Sequence, residues 1–261
     1  MKRDPLVFVE SIGEGDPLVL VHGWGMHGGL MRDLAMDLSE NFQVFVVDLP
    51  GHGRSEPLPG FPLDEVLERL KAALPSSAHW VGWSLGGLIS LAMAAESPQV
   101  VHSLSMIASS PRFVESAGWP GVKKDLLDQM GGEFAADYLA TLNRFVGLQT
   151  FGQDGARQLS RRILAMMAGA SSPDMDSLLG ALNLLRDLDL REEFSGLAHP
   201  LLSICGGRDR LVPVAQTIEL GRLRGALSET LVIDKAAHLP FMTHRHEVVA
   251  ALREFLLPSS C

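Results

Sequence analysis

The chain has 261 residues, of which 46% are hydrophobic and 20% charged, and its formal net charge is −9 at pH 7. This size suits one large α/β domain carrying an insertion, or two small domains, and the balance of apolar to charged residues excludes a disordered chain. The negative charge argues against nucleic acid as a partner and gives no reason to expect an anionic membrane surface, and no apolar run approaches the length that spans a bilayer.

Met1-Lys2-Arg3-Asp4-Pro5 leads directly into strand-like Leu6-Val7-Phe8-Val9 and lacks the apolar core of a signal peptide. Leu18-Val19-Leu20-Val21 is a continuous apolar run, the pattern of a strand buried on both faces. A helical repeat from Leu30 to Leu38 follows, then a second buried-strand run, Val44-Phe45-Val46-Val47. Leu63 to Leu74 reads as a helix bracketed by Pro62 and Pro75. Next come an apolar strand, His79-Trp80-Val81, a helix over Leu88 to Ala95, and a strand at Leu104-Ser105-Met106-Ile107. Such alternation predicts a mostly parallel sheet flanked by helices.

From about Arg112 to Glu193 the strand runs vanish, and helical segments are predicted at Val122–Met130, Phe134–Phe145, Ala156–Met167 and Met175–Leu188. The α/β rhythm then resumes with strand Leu201–Cys205, helix Val214–Leu223, strand Thr230–Ile233 and helix Arg245–Leu257. The expected organisation is a core of residues 1–111 and 194–261, with a helical cap over residues 112–193. A cap inserted there would cover the carboxyl ends of the strands, where open α/β sheets bind ligands. The two cysteines, Cys205 in an apolar strand and Cys261 at the end, make no disulfide framework and point to a reducing cytoplasm. No paired Cys/His spacing suggests a structural metal.

Gly82-Trp83-Ser84-Leu85-Gly86, between a predicted strand and a predicted helix, is a G-x-S-x-G nucleophile elbow. Small residues two positions either side of the serine allow a strained turn that lifts its hydroxyl clear of the sheet. A serine hydroxyl needs a neighbouring base. In hydrolases built on such an elbow, the acid and then the base follow on later loops at strand ends. Of nine histidines, His238 alone follows Ser84 in such a loop, whereas His244 and His246 lie beside the start of the final helix. Asp209, in Gly206-Gly207-Arg208-Asp209, is the candidate acid, because no acid follows the strand ending near Ile107. Leu85 and Trp24 are the expected oxyanion donors through their backbone N–H groups, the latter from His22-Gly23-Trp24-Gly25 after the first buried strand. The Trp24 indole would form one wall of the acyl pocket, and His22 is read as a loop-stabilising residue. Asp48-Leu49-Pro50-Gly51-His52-Gly53-Arg54-Ser55 lacks the Gly-Lys-Ser/Thr ending of a phosphate loop and is read as a tight turn. This chemistry calls for no metal or organic cofactor.

HGWG, DLPGHGRS, GWSLGG, GRDRLVP and AAHLPF, in that order over almost the whole chain, resemble the α/β-hydrolase superfamily. VLVHGWGM, VVDLPGHGRS, VGWSLGGL, the segment Arg144-Phe145-Val146-Gly147-Leu148-Gln149-Thr150 and Lys235-Ala236-Ala237-His238 narrow the resemblance to the pimeloyl-[acyl-carrier protein] methyl ester esterases of biotin synthesis. That resemblance implies Ser84 as nucleophile, Asp209 as acid and His238 as base. It also implies substrate contacts at Trp24, Ser84, Leu85, Phe145, Val146, Gly147, Leu148, Gln149 and His238. Arg144, Arg157 and Arg161 match arginines that meet the acidic carrier protein, and a fourth such position is Ala140 here. Four arginines and one acid between residues 140 and 165 fit a local basic patch on an acidic protein. Nothing in the sequence requires more than a monomer. A broad-specificity carboxylesterase or thioesterase, a C–C bond hydrolase and a non-turnover ligand receptor with this fold stay open as alternatives.

Overall fold

A computed structural model describes residues 6–170, 173–224 and 228–257, so the N-terminal residues 1–5 and Cys261 lie outside the described residues. The apolar runs become the middle of a seven-stranded sheet ordered β1-β3-β2-β4-β5-β6-β7. Its strands are β1 Phe8–Ile12, β2 Asp16–Val21, β3 Phe42–Asp48, β4 Ala78–Trp83, β5 Val101–Ile107, β6 Leu201–Gly206 and β7 Ser228–Ile233. Leu18 to Val21 are wholly buried, with β3 on one side and β4 on the other; Leu20 lies level with Val46 and with Val81. Every pairing is parallel except β1 with β3, an antiparallel edge running from Phe8↔Asp48 to Ile12↔Val44.

The chain steps from β2 outward to β3 and then returns past β2 to β4. The loops leaving β2 and β4 therefore diverge and open a crevice at the strands' carboxyl ends. Around the sheet, α1 Arg32–Leu38 packs with α11 Arg245–Leu256 and the short α10 Pro240–Thr243, while α2 Leu63–Ala73 packs with α3 Leu85–Glu96. The core helix α3 is buried at every residue from Leu85 to Ala94, as befits a helix apolar on all sides. The remaining core helix is α9 Gln216–Arg224.

Between β5 and β6, which pair directly from Leu104↔Leu201 to Ile107↔Ile204, the chain makes a helical excursion. It comprises α4 Lys124–Ala136, α5 Tyr138–Thr150, α6 Ala156–Ala168, α7 Met175–Asp187 and α8 Arg191–Gly196. Among the described residues no helix is long and apolar enough to cross a membrane.

Several boundaries differ from the sequence reading. The expected helix Phe134–Phe145 is two helices, broken at Asp137. Its extended backbone (φ −150°, ψ 94°) ends α4, and its carboxylate accepts the Ala140 N–H at 3.0 Å to start α5. Val122 belongs to no helix: it pairs with Val114 in an isolated bridge, beside Gly121, on which a Cβ would stand 2.4 Å from the Phe113 carbonyl oxygen. The first strand starts at Phe8 rather than Leu6 and runs to Ile12. The four-residue α10 and six-residue α8 are too short to show a period.

Candidate active site

β4 delivers Ser84 to the crevice with φ 54° and ψ −120°, a conformation that costs a non-glycine residue about 1–3 kcal/mol. Several contacts hold it there. The Ser84 N–H donates to the Ile107 carbonyl at 2.9 Å, and the Ser84 carbonyl accepts the Ser109 hydroxyl at 2.6 Å and the Gly87 N–H at 3.0 Å. The flanking glycines are required by close approach: a Cβ on Gly82 would stand 2.3 Å from the Gly86 carbonyl oxygen, and one on Gly86 2.2 Å from that of Val21. So tight a strand–turn–helix aims the hydroxyl away from the sheet.

His238, on the loop after β7, is 1% exposed, and its Nε2 lies 3.0 Å from Ser84 Oγ. Its Nδ1 lies 2.8 Å from Asp209 Oδ2. The other oxygen, Asp209 Oδ1, accepts the N–H groups of Leu211 at 2.8 Å and Val212 at 3.0 Å, which fixes the carboxylate and leaves Oδ2 facing the ring. With a proton on Nδ1 toward the carboxylate, Nε2 is free to accept from the serine hydroxyl. The Trp83 indole donates to the His238 carbonyl at 2.8 Å, with its ring centroid 5.8 Å from the imidazole.

The loop after β2 closes over the elbow. A Cβ on Gly23 would lie 3.2 Å from the Ser84 Cβ, so glycine lets this backbone pass in contact with the serine. Among the described residues the Trp24 N–H donates to no protein acceptor. Leu85, first residue of α3, carries one of the N–H groups that no helix can satisfy internally. The Trp24 indole donates to the Leu178 carbonyl at 2.7 Å and meets Phe134 and Phe145 edge-on at 4.7 and 4.9 Å. It therefore ties the crevice to α7 while walling it.

The remaining strand-end polar groups hold loops. His22, fully buried, accepts the Leu49 N–H at 2.9 Å through Nε2, and its Nδ1 lies 2.8 Å from the Gly23 carbonyl. Burial above all, and then the neighbouring His52, push its pKa down to about 3. Asp48 accepts from Gly28 N at 2.7 Å and from the backbone and side chain of Arg54 at 3.0 and 2.8 Å, closing the turn that follows β3.

A void of about 20 Å³ sits over Ser84, walled by Trp24, Phe113, Met130, Phe145, Leu182 and Leu211 among others. That is room for little more than one water. Behind it, between α4 and α5, lies a groove of about 360 Å³ lined by Leu126, Thr141, Arg144, Gly147, Leu148 and their neighbours. Met130 and Phe145 face both spaces and form the partition between them.

The structure thus gathers Ser84, His238, Asp209, Trp24, Leu85 and Phe145, but disperses the rest of the expected substrate stretch. Val146 is buried outside both spaces, Gly147 and Leu148 line the outer groove, and Gln149 lies under the site, its carbonyl accepting the His238 N–H at 3.2 Å. Arg144 stands at the groove's rim, ion-paired with Glu133. Arg157 and Arg161 are exposed on α6, and Ala140 is exposed on α5. No motif marks Phe113, Met130 or Leu182, and Leu211 lies in the GRDRLVP stretch with nothing there to single it out as a wall of the void. Among the described residues no cluster of three or more His, Cys, Asp or Glu is placed to hold a metal ion.

Residues 16–245 match the sequence family described as alpha/beta hydrolase fold. The chain belongs to the α/β-hydrolase family. Over 253 residues this hydrolase is 39% identical to a pimeloyl-[acyl-carrier protein] methyl ester esterase of Methylococcus capsulatus, covering 97% of this chain and 99% of that protein. It is 41% identical to one from Xanthomonas campestris, covering 95% and 98% of the two chains. An esterase from Exiguobacterium antarcticum superposes with a TM-score of 0.86 at 23% identity, covering 96% of this chain and 95% of that one, which shows the shared fold. With the Ser84–His238–Asp209 contacts, these full-length likenesses make this hydrolase a carboxylesterase of the family.

Proposed function

We propose that this hydrolase cleaves the methyl ester of a pimeloyl chain borne on acyl-carrier protein, freeing the distal carboxylate for biotin synthesis and releasing methanol. The observation that carries the reading is the buried relay, Asp209 to His238 at 2.8 Å and His238 to Ser84 at 3.0 Å, opening on an apolar void. The near full-length relatives named for that reaction supply the substrate.

Ser84 Oγ attacks the ester carbonyl as its proton passes to His238 Nε2, and the N–H groups of Leu85 and Trp24 receive the oxyanion. Asp209 holds the ring's tautomer and steadies the imidazolium. Collapse breaks the bond to the methoxy oxygen, which takes the proton from His238 and leaves as methanol. Water then adds to the acyl-serine, again losing a proton to His238, and collapse returns that proton to Ser84 as the acid departs. The methylene chain enters from the outer groove by parting Met130 and Phe145, along Gly147 and Leu148, while Val146 and Gln149 shape the path from behind. Arg144, Arg157 and Arg161 face the acidic carrier, and a single copy of the chain contains every group the reaction uses. Two cysteines that make no disulfide framework fit a reducing compartment, and we place the reaction in the cytoplasm.

Ser84→Ala tests the assignment. Turnover of carrier-bound pimeloyl methyl ester should fall by about four orders of magnitude or more, with thermal stability unchanged within a few degrees. Turnover within about tenfold of the parent would overturn it.

A further inference from the structure

The turn joining α5 to α6 touches both loops of the relay. The His238 N–H donates to the Gln149 carbonyl at 3.2 Å, and the adjacent Ala237 N–H donates to Gln153 Oε1 at 3.1 Å. On the acid's loop, Arg208 Nη1 donates to the Gly152 carbonyl at 2.8 Å and reaches Asp154 Oδ1 at 3.3 Å, while the Arg210 guanidinium lies 4.9 Å over the Phe151 ring. Arg208 and Arg210 flank Asp209 in sequence, and the two loops are tied to each other through Arg208 N–H to the Ala236 carbonyl at 2.9 Å. One six-residue stretch of the cap, residues 149–154, thus braces acid and base together.

Two of these ties join backbone atoms alone, and three others begin on the side chains of Arg208 and Arg210, in the acid's loop. Gln153 is different. The residue is 9% exposed, and its backbone is pinned by Gln153 N–H to the Thr150 carbonyl at 3.0 Å and by Ala156 N–H to its own carbonyl at 3.1 Å. The Ala237 N–H it serves is buried, with Ala237 only 2% exposed, so loss of the acceptor leaves a buried donor unpaired beside the base. The loop would shift to rehydrate that donor, and a shift of a fraction of an ångström in His238 lengthens the Nε2–Oγ contact on which proton transfer depends.

We propose that Gln153 is a positioning residue that holds His238 in register with Ser84, and that the α5–α6 turn is the strut through which the cap braces the relay. The inference rests on the reading of Ser84, His238 and Asp209 as the hydrolytic relay. It makes the cap a working part of the catalytic geometry as well as a wall of the pocket.

The test compares Gln153→Leu, which keeps bulk and removes the acceptor, with Gln153→Glu, which keeps an acceptor at the same atom. Each full-length variant is assayed on p-nitrophenyl butyrate, with active sites counted by phosphonate labelling of Ser84. Gln153→Leu should lower kcat per labelled site about tenfold with KM within about twofold, and Gln153→Glu should regain most of that loss. A merely structural tie would lower the labelled fraction or the melting temperature and leave kcat per site unchanged. The proposal falls if Gln153→Leu keeps kcat per site within about twofold, if it acts through KM alone, or if Gln153→Glu is equally impaired. Should Gln153→Leu not fold, Arg208→Met, which removes the tie to Gly152 from the acid's side, should lower kcat per site about threefold, and an unchanged value sinks the idea. An active Ser84→Ala would instead fell the relay reading itself, so the two failures are distinguishable.

Discussion

His22 serves its loop only as a neutral ring, because its Nε2 must accept the Leu49 N–H in a site without solvent. Burial first, and then His52, hold its pKa at about 3, and burial likewise lowers those of His27 and His52. The unfolded chain protonates such groups near 6.5. Between about 3 and 6.5 the unfolded state therefore binds a proton that the folded state refuses, and stability drains away as pH falls through that window. For His22 the slope reaches about 1.4 kcal/mol per pH unit, and His27 and His52 add to it in the same direction. Asp48 is held below its ordinary value: burial pushes its pKa up, but the hydrogen bonds from Arg54 and from the Gly28 N–H outweigh it, so its contribution persists until the pH falls below the ordinary carboxylate range. Urea unfolding should show stability falling steeply from pH 6.5 to 4.5. His22→Gln, which keeps an acceptor without a titrating ring, should be about 1–2 kcal/mol less stable at pH 7.5 yet lose less across that window. A parent protein equally stable at pH 7 and pH 5 would contradict this account.

Asp137 shows how an element boundary can hide from a periodicity argument. Apolar positions continue from Phe134 through Leu142 to Phe145, so the repeat alone reads as one helix. Only the carboxylate bonded to Ala140 N–H reveals that α5 starts afresh. Asp137→Ala should cost about 1 kcal/mol and lower the melting temperature by about 2–4 °C in a calorimetric scan. Asn, which can cap equally, should nearly restore both. The strands were far more legible, because a parallel strand buried on both faces reads as a near-continuous apolar run, as Leu18–Val21 does without a break and Leu201–Cys205 does but for Ser203. Ser84, Asp209 and His238 were legible for a similar reason: the elbow's steric demand and the loop order are written locally. The walls of the void were not. Phe113, Met130, Leu182 and Leu211 are apolar residues among many, and they meet over Ser84 only because α4, α7 and the loops after β5 and β6 converge there. Gln153 is likewise silent in sequence, since its partner Ala237 lies 84 positions away.

At the scale of the whole molecule, a chain of net charge −9 places four arginines, at 144, 157, 161 and 162, on α5 and α6. Arg144 is engaged by Glu133 and Arg162 by Asp33, whereas Arg157 and Arg161, four apart on α6, form no ion pair among the described residues. If these two steer an acidic carrier, raising ionic strength from about 50 to 500 mM should lower kcat/KM for carrier-bound ester about tenfold and leave a short free ester nearly unchanged. Arg157→Glu with Arg161→Glu should do the same at low salt, as stopped-flow kinetics on both substrates would reveal. The helical excursion also leaves the sheet through β5 and re-enters through its immediate neighbour β6. Its two doorposts stand one strand spacing apart, about 5 Å, so the sheet keeps its alignment whatever length of chain is spliced between them. A transplanted roof from another enzyme must do more than reshape the chamber, however: it has to bring fresh acceptors for the amides of residues 237 and 238, or the graft will fold and idle.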